Sequence, residues 1–109
     1  MVVEDWVEFT KQALNYMGHG YELYCPILIP ESKESRASRI DRKLIDKYDA
    51  ERGKDARYRA KKAGRANYAY IRHGLNALVL RTKGEEIIPD DPDRFYDMRS
   101  RPYSFTVGS

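Results

Sequence analysis

Two β-type runs, Ala66 to Arg72 and Leu75 to Thr82, meet at His73-Gly74, and this pair limits the folds open to the chain more than any other feature. Glycine reaches the positive φ that a tight hairpin turn needs, and the flanking residues suit a pleated, half-buried surface. A β-hairpin is therefore expected in the C-terminal half.

Helices and further strands surround it. Val3, Trp6, Val7, Phe9, Ala13, Leu14 and Met17 recur at three- to four-residue intervals, so Val2 to Met17 reads as an amphipathic helix stopped by Gly18 and Gly20. Tyr21 to Ile29 follows as a strand ended by Pro30. Ser32 to Ser38 offers helix caps, and Ile40, Leu44, Ile45 and Tyr48 keep a helical period to Ala50. Beyond Gly53, Lys54 to Ala63 has helix-forming composition and Gly64 as its cap. After the hairpin, Lys83-Gly84 is a turn, Ile87-Ile88 a short strand stub and Pro89 to Pro92 a loop; Phe95 to Arg101 is ambiguous, and Tyr103 to Val107 alternates as a last strand. This order predicts one α+β domain over residues 1–109: a small, mostly antiparallel sheet of about four strands with two or three helices on one face.

The chain has one cysteine, Cys25, so no internal disulfide can form, and no charged-then-apolar leader opens it. The longest apolar run, Pro26 to Pro30, is far below the roughly 20 residues of a membrane span. These features predict a cytoplasmic protein without a membrane partner.

Charge is unevenly distributed. Lys33 to Arg65 carries thirteen cations against six carboxylates, a surplus of seven, which leaves minus four for the remainder of a chain whose net charge is +3. The acidic pole is Glu85, Glu86, Asp90, Asp91, Asp93 and Asp97. Arg36, Arg39 and Lys43 lie three and four residues apart and share a helix face. Arg57, Arg59, Lys61, Lys62 and Arg65 crowd a short helix that offers few core contacts. Such a ridge suits phosphate, because each neutralised phosphate releases condensed counterions. The bland alternative is a solvated, salt-bridged helix face.

Tyrosine is abundant, at nine residues, and Tyr58, Tyr68 and Tyr70 alternate with cations. Side chains repeat every two residues along a strand, so Tyr68, Tyr70 and Arg72 form one row. Exposed, that row would contact unpaired bases; covered by a helix, it would be core.

Catalytic and metal signatures are sparse. His19 and His73 have no ligand-type neighbours, Cys25 beside Pro26 reads as a buried apolar residue, and Asp90, Asp91 and Asp93 lack calcium-loop spacing. No phosphate-binding glycine loop or nucleophile elbow occurs, so no cofactor or metal is expected. One enzymatic reading remains, a metal-independent endoribonuclease in which Tyr70, Arg72, His73 and Lys61 share acid, base and electrostatic roles. In topology alone, the element order resembles the small basic ribonucleases of bacterial toxin–antitoxin modules, and no residue motif carries over. The residues favour binding over catalysis. The expected partner is DNA or RNA, with a protein partner for the 85–97 segment as an alternative; that segment would also be able to fold back and mask the basic ridge. Oligomeric state is left open.

Overall fold

The computed structural model describes residues 1–102. It has the expected α+β architecture, with three α-helices and a four-stranded antiparallel sheet. The elements are α1 (Trp6–Gly18), β1 (Leu23–Leu28), a 3₁₀ turn (Glu31–Arg36), α2 (Ala37–Tyr48), α3 (Lys54–Lys62), β2 (Tyr68–His73), β3 (Asn76–Arg81) and β4 (Tyr96–Asp97). The strand order is β2-β3-β1-β4. The strand anticipated at Tyr103 to Val107 lies outside the described residues; the fourth strand is instead the short β4, which pairs with Leu23 and Tyr24 of β1.

The hairpin forms as anticipated. His73 faces Asn76 across a loop of Gly74 and Leu75, and Gly74 holds φ +58, the positive angle required at the first loop position of a type II′ turn. Helix α1 starts later than its periodicity suggests, because the Asp5 carboxylate accepts the Glu8 amide at 2.8 Å and so caps the first turn. The preceding residues extend the sheet instead. Val3 N donates to Arg72 O and Arg72 N donates to Met1 O, each at 2.8 Å, which covers the outer edge of β2. Helix α2 ends at Asp49, whose left-handed backbone (φ 51) is one that short acidic residues tolerate.

The helices divide between the two faces of the sheet instead of sharing one. Phe9 and Ala13 of α1 pack with Tyr24, Ala69, Ile71, Leu78 and Leu80. Ile45 and Tyr48 of α2 pack with Cys25, Tyr68, Tyr70, Ala77 and Val79 on the opposite face. The physical reason is visible in the strands: Tyr68 to Ile71 and Ala77 to Leu80 are buried at every position, and a strand apolar on both sides needs cover on both. Burial of Phe9, which is fully enclosed, contributes about 1.5–3 kcal/mol.

The acidic segment after β3 closes the α2 side. Ile87, Ile88 and Phe95 pack against that cluster, and the Phe95 ring meets Tyr48 and Tyr68 edge-on at 5.9 Å from each. Ile87-Ile88 thus contributes side chains and no strand. The Tyr48 hydroxyl donates toward Asp91 (2.7 Å) and Asp93 (2.6 Å), and Lys47 Nζ lies 2.9 Å from Asp93 and 3.4 Å from Asp91. The hydrogen bond from Tyr48 holds the Asp93 carboxyl below the ordinary aspartate value, with Lys47 adding to the effect and burial opposing it. A depressed carboxylate pKa stabilises the fold above the unfolded value near 4, and that contribution fades as pH falls further. The stability difference between wild type and Asp93→Asn is therefore expected to shrink steadily from about pH 5 to pH 2 in urea melts. A difference independent of pH would exclude this role for the carboxylate.

Candidate nucleic-acid interface

Helix α2 runs antiparallel to β2. Asp41, near its start, reaches Tyr70 and Arg72 toward the hairpin loop, whereas Tyr48 at its end stacks on Tyr68 with ring centroids 4.9 Å apart. This direction decides where the cations go. Arg36, Arg39 and Lys43, joined by Lys33, surround Ile40 at the hairpin end of α2. Lys54 to Arg65 lie past the other end of a helix about 18 Å long. The single ridge expected from Lys33 to Arg65 is thus two separate groups.

Between them, the cations are neutralised. Arg42 pairs with Asp46 and Glu51, Lys47 with Asp91 and Asp93, and Arg52 with Asp49. By contrast, Arg36, Arg39, Lys43, Arg59, Lys61, Lys62 and Arg65 are exposed and form no ion pair with any described residue. The masking expected of the acidic segment therefore reaches Lys47 alone. Of its other carboxylates, Glu86 pairs with Arg81 and Asp97 approaches Lys83.

The α3 group frames a groove of about 610 Å³ between α3, the residues that link α1 to β1, and the end of β3. Lys54, Tyr58 and Lys61 stand at i, i+4 and i+7 on α3 and form one wall. Arg57, Arg65 and Lys83 add three more cations, and Glu22 is the one carboxylate in the lining. Glu22 is already committed to Lys83 at 3.4 Å and Arg99 at 3.0 Å. Arg57 donates to the Arg52 and Ala50 carbonyls and to the Tyr21 hydroxyl, so its hydrogen bonds fix its position while its charge stays uncompensated. Backbone bonds tie down the chain next to Gly64 and Arg65. Ala66 N donates to Glu85 O and Glu85 N to Gly64 O, both at 2.9 Å, and Gly84 (φ +150) sits so close that a Cβ there would lie 3.0 Å from three backbone atoms of residues 64–66.

Tyr58 is 63 % exposed at the rim of this groove, with Lys62 Nζ 5.8 Å from its ring centroid. The other tyrosine positions need correction. Tyr68 (1 %) and Tyr70 (3 %) share the α2 face with Arg72 as strand periodicity requires, yet α2 covers them, so neither ring has a face for a base. Arg72 is bound to Asp41 through Nε (2.6 Å) and Nη2 (2.9 Å) and cannot reach a base edge without leaving that carboxylate.

The ribonuclease constellation is likewise not assembled. Tyr70 donates to Asp41 at 2.6 Å, and burial together with that carboxylate drives its pKa up, far from the range of a working acid or base. His73 points to the other face, edge-on to Trp6 at 5.0 Å with Nδ1 3.2 Å from Val3 O. Lys61 lies at the far end of the sheet. Cys25 is buried, and its thiol is pushed up to about 11, first by burial and then by Asp93 and Asp91. Among the described residues, no three His, Cys, Asp or Glu side chains converge as a metal site, and no helix is long and apolar enough to cross a membrane.

Lys54 and Tyr58 are not among the expected contact residues, although their i, i+4 and i+7 spacing with Lys61 is present in the chain, and nothing local signals that His19, Tyr21 and Lys83 complete the groove, because those residues come from elements far apart in the chain. No protein-family model matches this chain, and no curated protein or solved structure is significantly similar to it.

Proposed function

We propose that the protein binds nucleic acid through the groove beside α3, which takes the phosphate backbone, while the group at Lys33, Arg36, Arg39 and Lys43 provides a secondary contact. One observation carries this reading: Lys54, Lys61 and Arg65 line a single groove with no carboxylate partner among the described residues, and Arg57 adds a fixed charge that no described carboxylate compensates. Cations kept free of counter-charges raise the local anion concentration and make association dependent on salt. The paired middle of the basic segment argues the same way, since the fold neutralises Arg42, Lys47 and Arg52 and leaves this groove open.

The test is a fluorescence-anisotropy titration of labelled oligonucleotides at about 50 and 200 mM salt. Affinity is expected to fall steeply with salt. The double variant Lys61→Glu/Arg65→Glu should flatten the slope of log K against log salt by about two or more, since each lost phosphate contact removes roughly one. Arg36→Glu/Arg39→Glu should have the smaller effect. An affinity indifferent to salt, or unaffected by reversal at Lys61 and Arg65, would refute the assignment and direct attention to a protein ligand.

A further inference from the structure

Building on the reading above, we infer that the groove selects unpaired strands, with a base stacked on Tyr58 while Lys54, Lys61 and Arg65 hold the adjoining phosphates. Among the described residues Tyr58 is the one exposed tyrosine, at 63 %, whereas Tyr21, Tyr24, Tyr48, Tyr68 and Tyr70 are buried and Tyr16 and Tyr96 half-buried. It occupies the middle of the cationic stripe, one helical turn from Lys54 and one from Lys61 on the same side of α3. The stripe from Lys54 to Lys61 spans about 10 Å, short enough for a few nucleotides of one strand.

Two physical facts make the ring informative. A large aromatic ring in water gains little unless a flat apolar partner covers it, and a duplex keeps the faces of its bases inside the stack. Exposed bases alternate with phosphates along a single strand, and the stripe alternates an aromatic ring with cations in the same way. Lys62, close to the ring on its other flank, adds positive charge beside a stacked base. Among the described residues that line the groove Glu22 is the one carboxylate, and it is doubly paired; Asp55, three residues before Tyr58 on α3, lies outside the lining. Asn67, the one amide side chain in the lining, already accepts from Arg52 and donates to the Arg57 carbonyl, so stacking and charge dominate and sequence preference is weak.

The test measures binding of labelled oligo(U), oligo(dT) and a mixed-sequence duplex of equal length to wild type, Tyr58→Ala, Tyr58→Phe and Lys61→Glu/Arg65→Glu. Wild type should bind both single strands more tightly than the duplex. Tyr58→Ala should weaken single-strand binding by about tenfold, within the range for loss of one stacked base, with the salt slope unchanged because no charge is removed. Tyr58→Phe should retain the affinity. Because Tyr58 lies at the surface, each variant is expected to keep the wild-type circular dichroism spectrum. Equal affinity of wild type and Tyr58→Ala for single strands, with the charge-reversal variant still defective, would overturn the stacking inference and leave phosphate binding intact. Absence of salt-dependent binding to all three probes would overturn both.

Discussion

Replacing Asp41 by alanine is expected to lower the free energy of unfolding by about 3–5 kcal/mol, the cost of removing one partner from a buried ion pair. Asp41 is buried and serves three donors: Tyr70 Oη at 2.6 Å, Arg72 Nε at 2.6 Å and Arg72 Nη2 at 2.9 Å. Without the carboxylate, the Arg72 guanidinium and a buried hydroxyl lose their acceptor beneath α2. Urea denaturation followed by circular dichroism measures the effect, and a loss under about 1 kcal/mol would contradict the assigned role. The triple variant Asp41→Ala/Tyr70→Phe/Arg72→Met should recover much of the loss, because an apolar replacement removes the stranded charge together with its partner. This cluster also fixes α2 in register on the sheet, since it joins the first half of the helix to alternate residues of β2.

A chain ended after Gly84 is expected to lose its cooperative unfolding transition altogether. The removed residues include Ile87, Ile88 and Phe95, which cover Tyr48 and Tyr68, and both carboxylates that accept from Tyr48 and Lys47. They also include β4, which pairs with β1, and Glu85, whose backbone is bonded to Gly64 and Ala66. Lost apolar cover and stranded polar groups together amount to on the order of 5 kcal/mol or more, comparable with the whole stability of a small domain. Thermal melts and near-ultraviolet circular dichroism of the shortened chain provide the measurement. A sharp transition with native aromatic signal would mean that the acidic segment is an appendage and would revive its reading as a detachable mask.

The fold was legible where its cause is local. Gly74 between two β-type runs specifies the hairpin, Gly53 and Gly64 bracket α3, and the apolar positions of α2 give its buried face. The division of helices between the two faces was missed, since one face was expected, although Ala77-Leu78-Val79-Leu80 is an unbroken apolar run of the kind covered on both sides. The site was less legible because charge compensation is a property of tertiary structure. Lys47 and Arg36 look alike in sequence, yet Asp91 and Asp93 arrive from beyond β3 to neutralise one of them. Arg72 pairs with a carboxylate two elements upstream, and no local spacing announces it. Tyr58 and Tyr70 differ likewise only in what covers them, so an alternation of tyrosines and cations marks candidates and leaves the choice among them to the fold.

The sheet order has a consequence for the birth of the molecule. β1 sits between β3 and β4, and its partners, from Leu28↔Asn76 to Leu23↔Arg81, are separated from it by roughly fifty residues. On a ribosome making about 5–20 residues each second, β1 therefore waits several seconds with both edges unsatisfied, while the later hairpin can close within microseconds of its emergence. The sheet thus cannot close around β1 until the hairpin has been made, and Pro26, which offers no amide hydrogen to a stray strand, stands in this waiting segment.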